Sequence, residues 1–152
     1  MWQHRFEKMT ELQPEQIWPV IADIAGWAAV DHNIAWLEVE GTPAVGTHFR
    51  LRPKGGPALR FEVVHFDPPR LYADLCRMPG AAMTTRHRLH PSVEPSGGTH
   101  IVVEIDVTGP LAWFWGPIAA AKHAAGLPRQ TDQILARARE MASASPSLKS
   151  AA

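Results

Sequence analysis

The feature that most constrains the fold of this chain is a series of short runs in which apolar and polar residues alternate. Six such runs follow one another between residues 34 and 108, separated by turn sequences rich in Gly and Pro. Alternation with a period of two is typical of strands with one buried face, and frequent chain reversals favour antiparallel neighbours. With a similar run at the start of the chain, the predicted strands are Trp2–Met9, Ile34–Glu40, Thr47–Arg52, Ala58–Phe66, Arg70–Met78, Met83–His90 and Thr99–Thr108.

Helical patterns occur on either side of these six runs. Pro14 suits the first position of a helix that carries apolar residues at helical spacing as far as Gly26, and residues 27–32 follow as a short second helical turn. After Gly109 and Pro110 an alanine-rich segment with one apolar face predicts a long helix from Pro117 to about residue 142. Gly126 and Pro128 lie inside this helix and are expected to weaken or kink it.

Length and composition indicate one ordinary globular domain. The chain has 152 residues, 45% hydrophobic and 20% charged, which is close to the average of soluble domains. The domain is predicted over residues 1–142, followed by a small, polar tail at 143–152 that we expect to be disordered.

The charge balance and the single cysteine limit the partners and the cellular compartment that the sequence predicts for the protein. Fifteen basic and fifteen acidic residues cancel, so the chain lacks the positive field that nucleic-acid binding normally uses. A single cysteine and an N-terminal sequence without the apolar core of a signal peptide predict a cytoplasmic protein. The longest apolar stretch, 111–121, is interrupted by Gly116 and Pro117 and is too short to span a bilayer, so no stable membrane insertion is expected. The oligomeric state stays open.

Several short strings in a fixed order resemble a known superfamily. The strings are Pro14-Glu15-Gln16-Ile17-Trp18, Ala22-Asp23-Ile24 with Trp27, Glu40-Gly41, Val45-Gly46-Thr47, Asp67-Pro68-Pro69-Arg70-Leu71, Gly97-Gly98-Thr99 and Gly109-Pro110-Leu111. In this order and spacing the sequence resembles the START-like (SRPBCC) superfamily, in particular its polyketide cyclase/dehydrase and lipid-transport-like branch.

The resemblance implies an α+β helix-grip fold. In that fold a seven-stranded antiparallel curved sheet wraps around a long C-terminal helix, and two short helices follow the first strand. It also implies an internal cavity that holds a small hydrophobic ligand of the lipid, polyketide or aromatic type. It implies no cofactor and no shared catalytic set.

Charged residues on the predicted strands distinguish their two faces. The predicted solvent face holds Arg60, Glu62, Tyr72, Asp74, Arg86, Arg88, Glu104 and Asp106. The opposite parity points inward and comprises Phe61, Val63, His65, Leu71, Ala73, Leu75, Arg77, Met83, Thr85, His87, Leu89, Ile101, Val103, Ile105 and Val107. A mostly apolar face with a few polar groups is typical of a ligand cavity.

The candidate ligand-binding residues are members of this inner face, two residues of an earlier strand, and three residues at the start of the C-terminal segment. They are Phe49, Leu51, Phe61, Val63, His65, Leu75, Arg77, Met83, Thr85, His87, Val103, Ile105, Trp113, Trp115 and Ile118.

His87 is the best candidate for a catalytic residue, because an imidazole titrates near neutral pH. The alternative is a histidine hydrogen-bonded inside the sheet. His87 and His90 point to opposite faces of a strand and no metal-ligand motif is present, so no metal site is predicted. Cys76 is expected on the outer face and inert.

Four residues near the predicted cavity have open orientations. Lys122 and His123 lie on the last helix and either can reach the cavity mouth, although solvent exposure is favoured for both. The orientation of Trp27 is open, and strand parity places Trp36 outward. The aromatic run Trp113–Trp115 serves as packing against the sheet edge, as a lid, or as a membrane-touching patch.

Three functions are compatible with these patterns. The first is binding or carrying a small hydrophobic molecule. The second is a cyclase or dehydratase acting on a polyketide-like or other aromatic precursor, with His87 as acid/base and with Thr85 and Arg77 as further candidates for acid/base and carbonyl-orienting roles. The third is a protein- or membrane-interaction module that uses the aromatic run.

Overall fold

A computed structural model describes residues 1–93 and 97–144 of the chain. Its centre is one antiparallel sheet of seven strands in the order β1-β7-β6-β5-β4-β3-β2. The strands are β1 (Trp2–Thr10), β2 (Ile34–Val39), β3 (His48–Pro53), β4 (Leu59–Asp67), β5 (Leu71–Met78), β6 (Ala81–Pro91) and β7 (Thr99–Thr108). The sheet predicted from the alternating runs is therefore confirmed.

Two short helices and one long helical segment cover one face of this sheet. Helix α1 (Pro14–Ala22), a 3-10 turn (Ile24–Gly26) and α2 (Trp27–Val30) connect β1 to β2. The C-terminal segment consists of α3 (Ala112–Trp115), a π-helical turn (Gly116–Ala120), α4 (Ala121–Ala125) and α5 (Leu127–Ser143). This order is the helix-grip fold that the sequence predicted. The predicted tail lies outside the described residues from residue 145 onward.

The C-terminal segment begins earlier than the helix predicted from Pro117, at Ala112. It is interrupted at Gly126, between α4 and α5, where the sequence predicted a weak point. Pro128 has no N–H to continue the helical hydrogen bonds, and Gly126 costs more conformational entropy than other residues. Together they explain why the segment breaks at this point.

The strand register assigns β5 to the opposite parity from the predicted one. Cys76 pairs with Phe61 on one side and Met83 on the other, so all three side chains share the inner face. Tyr72 and Asp74 have the same parity as Cys76 and are buried on that face. The predicted outward orientation of these three β5 residues is therefore wrong, and Leu71, Ala73, Leu75 and Arg77 lie on the outer face.

The predicted inward orientation of His65 is wrong because β4 contains a bulge. The pairing with β5 shifts between Val63 and His65, which leaves Val64 as an extra residue. An extra residue inverts the alternation beyond it. His65 is consequently exposed on the outer face, and Phe66 packs edge-on against Trp18 of α1 at 5.3 Å between ring centroids.

The remaining predicted outer residues do lie outward. Arg86 forms an ion pair with Asp106, and Arg88 with Glu104, so that two charged pairs join β6 to β7 on the solvent side. Trp36 also faces outward, where the Arg50 guanidinium lies 5.6 Å from its ring centroid.

The core lies between the inner face of the sheet and the helices. Ile17 and Ile21 of α1, Val103 and Ile105 of β7, and Leu135 of α5 are buried there. Glu11 accepts a hydrogen bond of 2.8 Å from Arg139 Nε, which ties α5 to the end of β1. Within the described residues, no helix has the length and apolarity needed to cross a bilayer.

Candidate functional site

Four polar side chains meet on the inner face of two central strands. Tyr72 and Asp74 of β5 lie directly opposite His87 and Thr85 of β6. Directly opposed residues in an antiparallel pair point to the same face. We call these four residues, together with His123 of α4, the inner polar cluster.

Tyr72 and Asp74 form a buried hydrogen-bonded pair. The Tyr72 hydroxyl donates to Asp74 Oδ2 at 2.9 Å. Burial raises the pKa of Asp74 to about 7, because the charged carboxylate loses its hydration, and the Tyr72 hydrogen bond offsets part of that rise. Burial and the neighbouring carboxylate also raise the pKa of Tyr72 well above its ordinary value. Asp74 is therefore a carboxyl group that exchanges its proton near neutral pH.

His87 is held neutral on the same face. Burial lowers the pKa of His87 to about 4, with a smaller effect from the nearby His123. Its Nδ1 atom is buried and has no hydrogen-bond partner among the described residues. Buried polar atoms normally have partners, so this nitrogen is open to a ligand or a water molecule.

His123 points inward, which corrects the expectation that it is exposed. Its Nε2 lies 3.4 Å from Thr85 Oγ1, so the imidazole reaches from α4 to the sheet. Burial lowers the pKa of His123, and the Asp31 carboxylate acts in the opposite direction. Lys122, the preceding residue, is exposed as expected.

A small cavity opens where the C-terminal segment is interrupted. It has a volume of about 50 Å³, and we call it the mouth pocket. Its lining residues are Asp31, Asn33, Lys122, His123, Gly126, Arg129 and Gln130. Gln130 Nε2 donates to Asp31 Oδ2 at 3.1 Å, and the Asn33 backbone N–H donates to Asp31 Oδ1 at 2.9 Å.

Aromatic side chains fill part of the space in which the cavity was predicted. Trp27 packs edge-on against Phe49 and Tyr72, with ring centroids 5.4 and 5.5 Å away, and Phe49 stacks on Phe61 at 5.0 Å. About 50 Å³ holds a few water molecules, whereas pockets for drug-sized ligands start at about 300 Å³. A ligand of that size therefore does not fit the mouth pocket itself. A wider depression of about 350 Å³ near Arg5 and Glu104 is lined by polar and charged residues and is open to solvent.

Most of the predicted ligand-binding residues do lie on the inner face. These are Phe49, Leu51, Phe61, Val63, Met83, Thr85, His87, Val103 and Ile105. His65, Leu75 and Arg77 instead lie on the outer face because of the bulge and the β5 parity, so Arg77 cannot orient a carbonyl group inside.

Trp113 and Ile118 lie at the surface, whereas Trp115 packs beside the core. Trp113 is 71% exposed and Ile118 is 55% exposed, which removes both from the inner site. Trp115 is half-buried, and its Nε1 donates to Pro79 O at 2.8 Å. Trp115 thus contacts the turn between the central strands β5 and β6, rather than the sheet edge that one of the alternatives for this run named.

Three residues of the candidate site were not among the sequence candidates: Tyr72, Asp74 and Asp31. His123 was named there only as a residue able to reach the cavity mouth. The signal for Tyr72 and Asp74 was their spacing of two residues, which places both on one face whichever parity is chosen.

Cys76 shares that face, and burial raises the pKa of its thiol to about 11, so it is not a reactive thiolate at neutral pH. Across residues 1–93 and 97–144, no three His, Cys, Asp or Glu side chains converge as metal ligands do.

The whole described domain matches one family model. The family is described as polyketide cyclase / dehydrase and lipid transport, and its model matches residues 1–139. The chain belongs to this family. No relative was found among curated protein sequences.

Several solved structures share the fold of this chain at low sequence identity. Norcoclaurine synthase from Thalictrum flavum is 14% identical with a TM-score of 0.70, over 87% of this chain and 89% of that one. An aromatase/cyclase from Streptomyces sp. R1128 is 17% identical with a TM-score of 0.63, over 90% and 94%. A Thermus thermophilus protein is 16% identical with a TM-score of 0.69, over 91% and 98%. At these identities the similarity establishes the helix-grip fold alone.

Proposed function

We propose that this member of the family binds a small, largely apolar molecule of the lipid, polyketide or aromatic type between its sheet and its C-terminal helices. The observation that carries the proposal is the buried Nδ1 of His87, which has no partner among the described residues and lies within the inner polar cluster, surrounded by apolar side chains of the sheet. A few convergent polar groups within apolar walls are the usual composition of small-molecule sites.

The inner polar cluster supports recognition of an uncharged polar group on the ligand. Because His87 is neutral at pH 7, one ring nitrogen donates a hydrogen bond and the other accepts one. Such a group matches a carbonyl or a hydroxyl without the cost of burying a charge. Thr85, two residues away on the same face, supplies a hydroxyl that both donates and accepts.

Helix α2 is the element whose movement would make room for the ligand. It has four residues, none of them fully buried. Its Trp27 is held by the two ring contacts described above and by one hydrogen bond, from Nε1 to Ile21 O at 3.0 Å. Displacement of Trp27 opens the space next to Phe49 and Tyr72.

Native mass spectrometry and thermal unfolding test this function. We expect a small molecule to copurify, and apolar probes that bind the native state to raise the melting temperature. His87→Leu keeps apolar volume, so unfolding free energy should change by less than about 1.5 kcal/mol. Affinity for a carbonyl-bearing probe should fall by about 1 to 3 kcal/mol.

His65→Leu is the matched control, because it makes the same change on the outer face. It should leave probe affinity unchanged. A broad panel of apolar compounds that produces no shift in melting temperature would refute the binding function.

Acid–base catalysis is the second candidate function, and the pKa of Asp74 favours it. A group that titrates near the working pH is the most effective general acid or base, and Asp74 at about 7 meets this condition better than His87 at about 4. A turnover assay on cyclisable polyketide-type precursors tests it. Retained binding with loss of turnover in Asp74→Asn would support an enzyme, and absence of any turnover in the wild type would support a carrier.

A further inference from the structure

The mouth pocket carries two cationic side chains. Lys122 of α4 and Arg129 of α5 both line it, and both are exposed. Neither forms an ion pair within residues 1–93 and 97–144. Other arginines of the chain do have partners, such as Arg137 with Glu140 and Arg139 with Glu11.

The one carboxylate of the mouth pocket is already engaged by neutral groups. Asp31 is buried and accepts hydrogen bonds from Gln130 Nε2 and from the Asn33 backbone. Two cations against one carboxylate leave a net charge of about +1 at the mouth when His123 is neutral. A single negative charge on a ligand complements this net charge.

His123 connects the mouth pocket to the inner face. It lines the pocket and also lies 3.4 Å from Thr85 of the inner polar cluster. A molecule whose charged end lies beside Lys122 and Arg129 is therefore separated only by His123 from Thr85 and from Ile105, which lies opposite Thr85 on the inner face.

We infer that the ligand is an apolar carboxylate, whose head group is held at the mouth pocket by Lys122 and Arg129 while its apolar body lies against the sheet. This inference rests on the proposed binding function and names its ligand class. The small volume of the mouth pocket suits a carboxylate head, and the apolar body takes the space that displacement of Trp27 opens next to Phe49 and Tyr72.

Calorimetric binding of decanoate and decanol to the full chain tests the inference, because the two probes share an apolar chain and differ in the head group. At about pH 7.5 the acid is ionised. We expect decanoate to bind the wild type more tightly than decanol. The double variant Lys122→Gln/Arg129→Gln should lose roughly 3- to 20-fold in decanoate affinity, the range for two partly exposed charge contacts. Added salt should weaken decanoate binding only.

Decanol affinity and one surface variant provide the controls. Decanol should bind the double variant as it binds the wild type, which shows that the variant is folded. Arg137→Gln removes a cation of α5 outside the pocket lining and should leave decanoate affinity unchanged. Equal binding of both probes, unaffected by the double variant, would overturn the carboxylate inference and leave the binding function standing. Failure of both probes to bind the wild type would overturn both.

Discussion

At the scale of single residues, His87 and Asp74 give the protein two opposite pH dependences. Between about pH 4 and 6.5, His87 is neutral when folded and protonated when unfolded, so it makes stability rise with pH. Asp74 is protonated when folded up to about pH 7 and ionised when unfolded above about pH 4, so it makes stability fall as pH rises. The two contributions partly cancel in the wild type.

Single variants should separate these contributions. The slope of the unfolding free energy against pH should be more negative in His87→Leu than in the wild type. In Asp74→Asn this slope should be more positive than in the wild type. Each slope changes by at most about 1.4 kcal/mol per pH unit, the limit for one proton. Urea unfolding at several values between about pH 4.5 and 6.5 measures the slopes, with His65→Gln as an exposed control. Parallel slopes in all four proteins would mean that neither group is buried as described.

The orientation of individual side chains is the feature that the sequence predicted least well. Placing charged residues outward was correct for Arg86 and Asp106, which form an ion pair on the outer face. It failed for Asp74, because a carboxyl group with a raised pKa and a Tyr72 hydrogen bond tolerates burial that an ionised one does not. Tyr72 lies only two positions away on the same strand, but the burial that raises the pKa depends on the strands and helices packed around Asp74, which the order of residues along β5 does not contain.

At the scale of elements, two glycines of the C-terminal segment form a matched pair. Both Gly116 and Gly126 have right-handed helical backbone angles, so alanine has the same intrinsic advantage over glycine at each. A Cβ at Gly126 would lie 3.5 Å from His123 O, an ordinary contact, whereas a Cβ at Gly116 would overlap the side chain of Trp2.

The two alanine variants should therefore change stability in opposite directions. Gly126→Ala should raise the unfolding free energy by about 0.5 to 1 kcal/mol. Gly116→Ala should lower it by about 1 to 3 kcal/mol, because Trp2 must move. Chemical denaturation checks both, and a stabilising Gly116→Ala would show that the segment does not pack on β1 as described.

The sequence predicted the strands and helices better than the irregularities within them. The seven strands and the short helices follow from local periodicity and turn residues, which act over a few positions. The bulge after Val63 reversed the orientation of His65, and no residue in that part of β4 signals an insertion. The segment predicted as one helix is interrupted at Gly126, a residue whose weakening effect was visible in the sequence.

At the scale of the whole molecule, the fold was predictable and the size of the site was not. The order of elements and the short strings identified the helix-grip fold, and the family model confirms that assignment over residues 1–139. Cavity volume depends on how Trp27, Phe49 and Tyr72 pack against one another. That packing is a balance of small contact energies between residues distant in sequence.

The position of a bound apolar ligand tests the central claim most directly. Isotope-filtered nuclear Overhauser measurements detect ligand protons within a few ångströms of protein side chains. With ¹³C-labelled protein and an unlabelled ligand, we predict contacts to the methyl groups of Val103 and Ile105, to the His87 ring and to Trp27. Contacts confined to the exposed side chains of Trp113 and Ile118 would contradict internal binding and indicate a surface interaction instead.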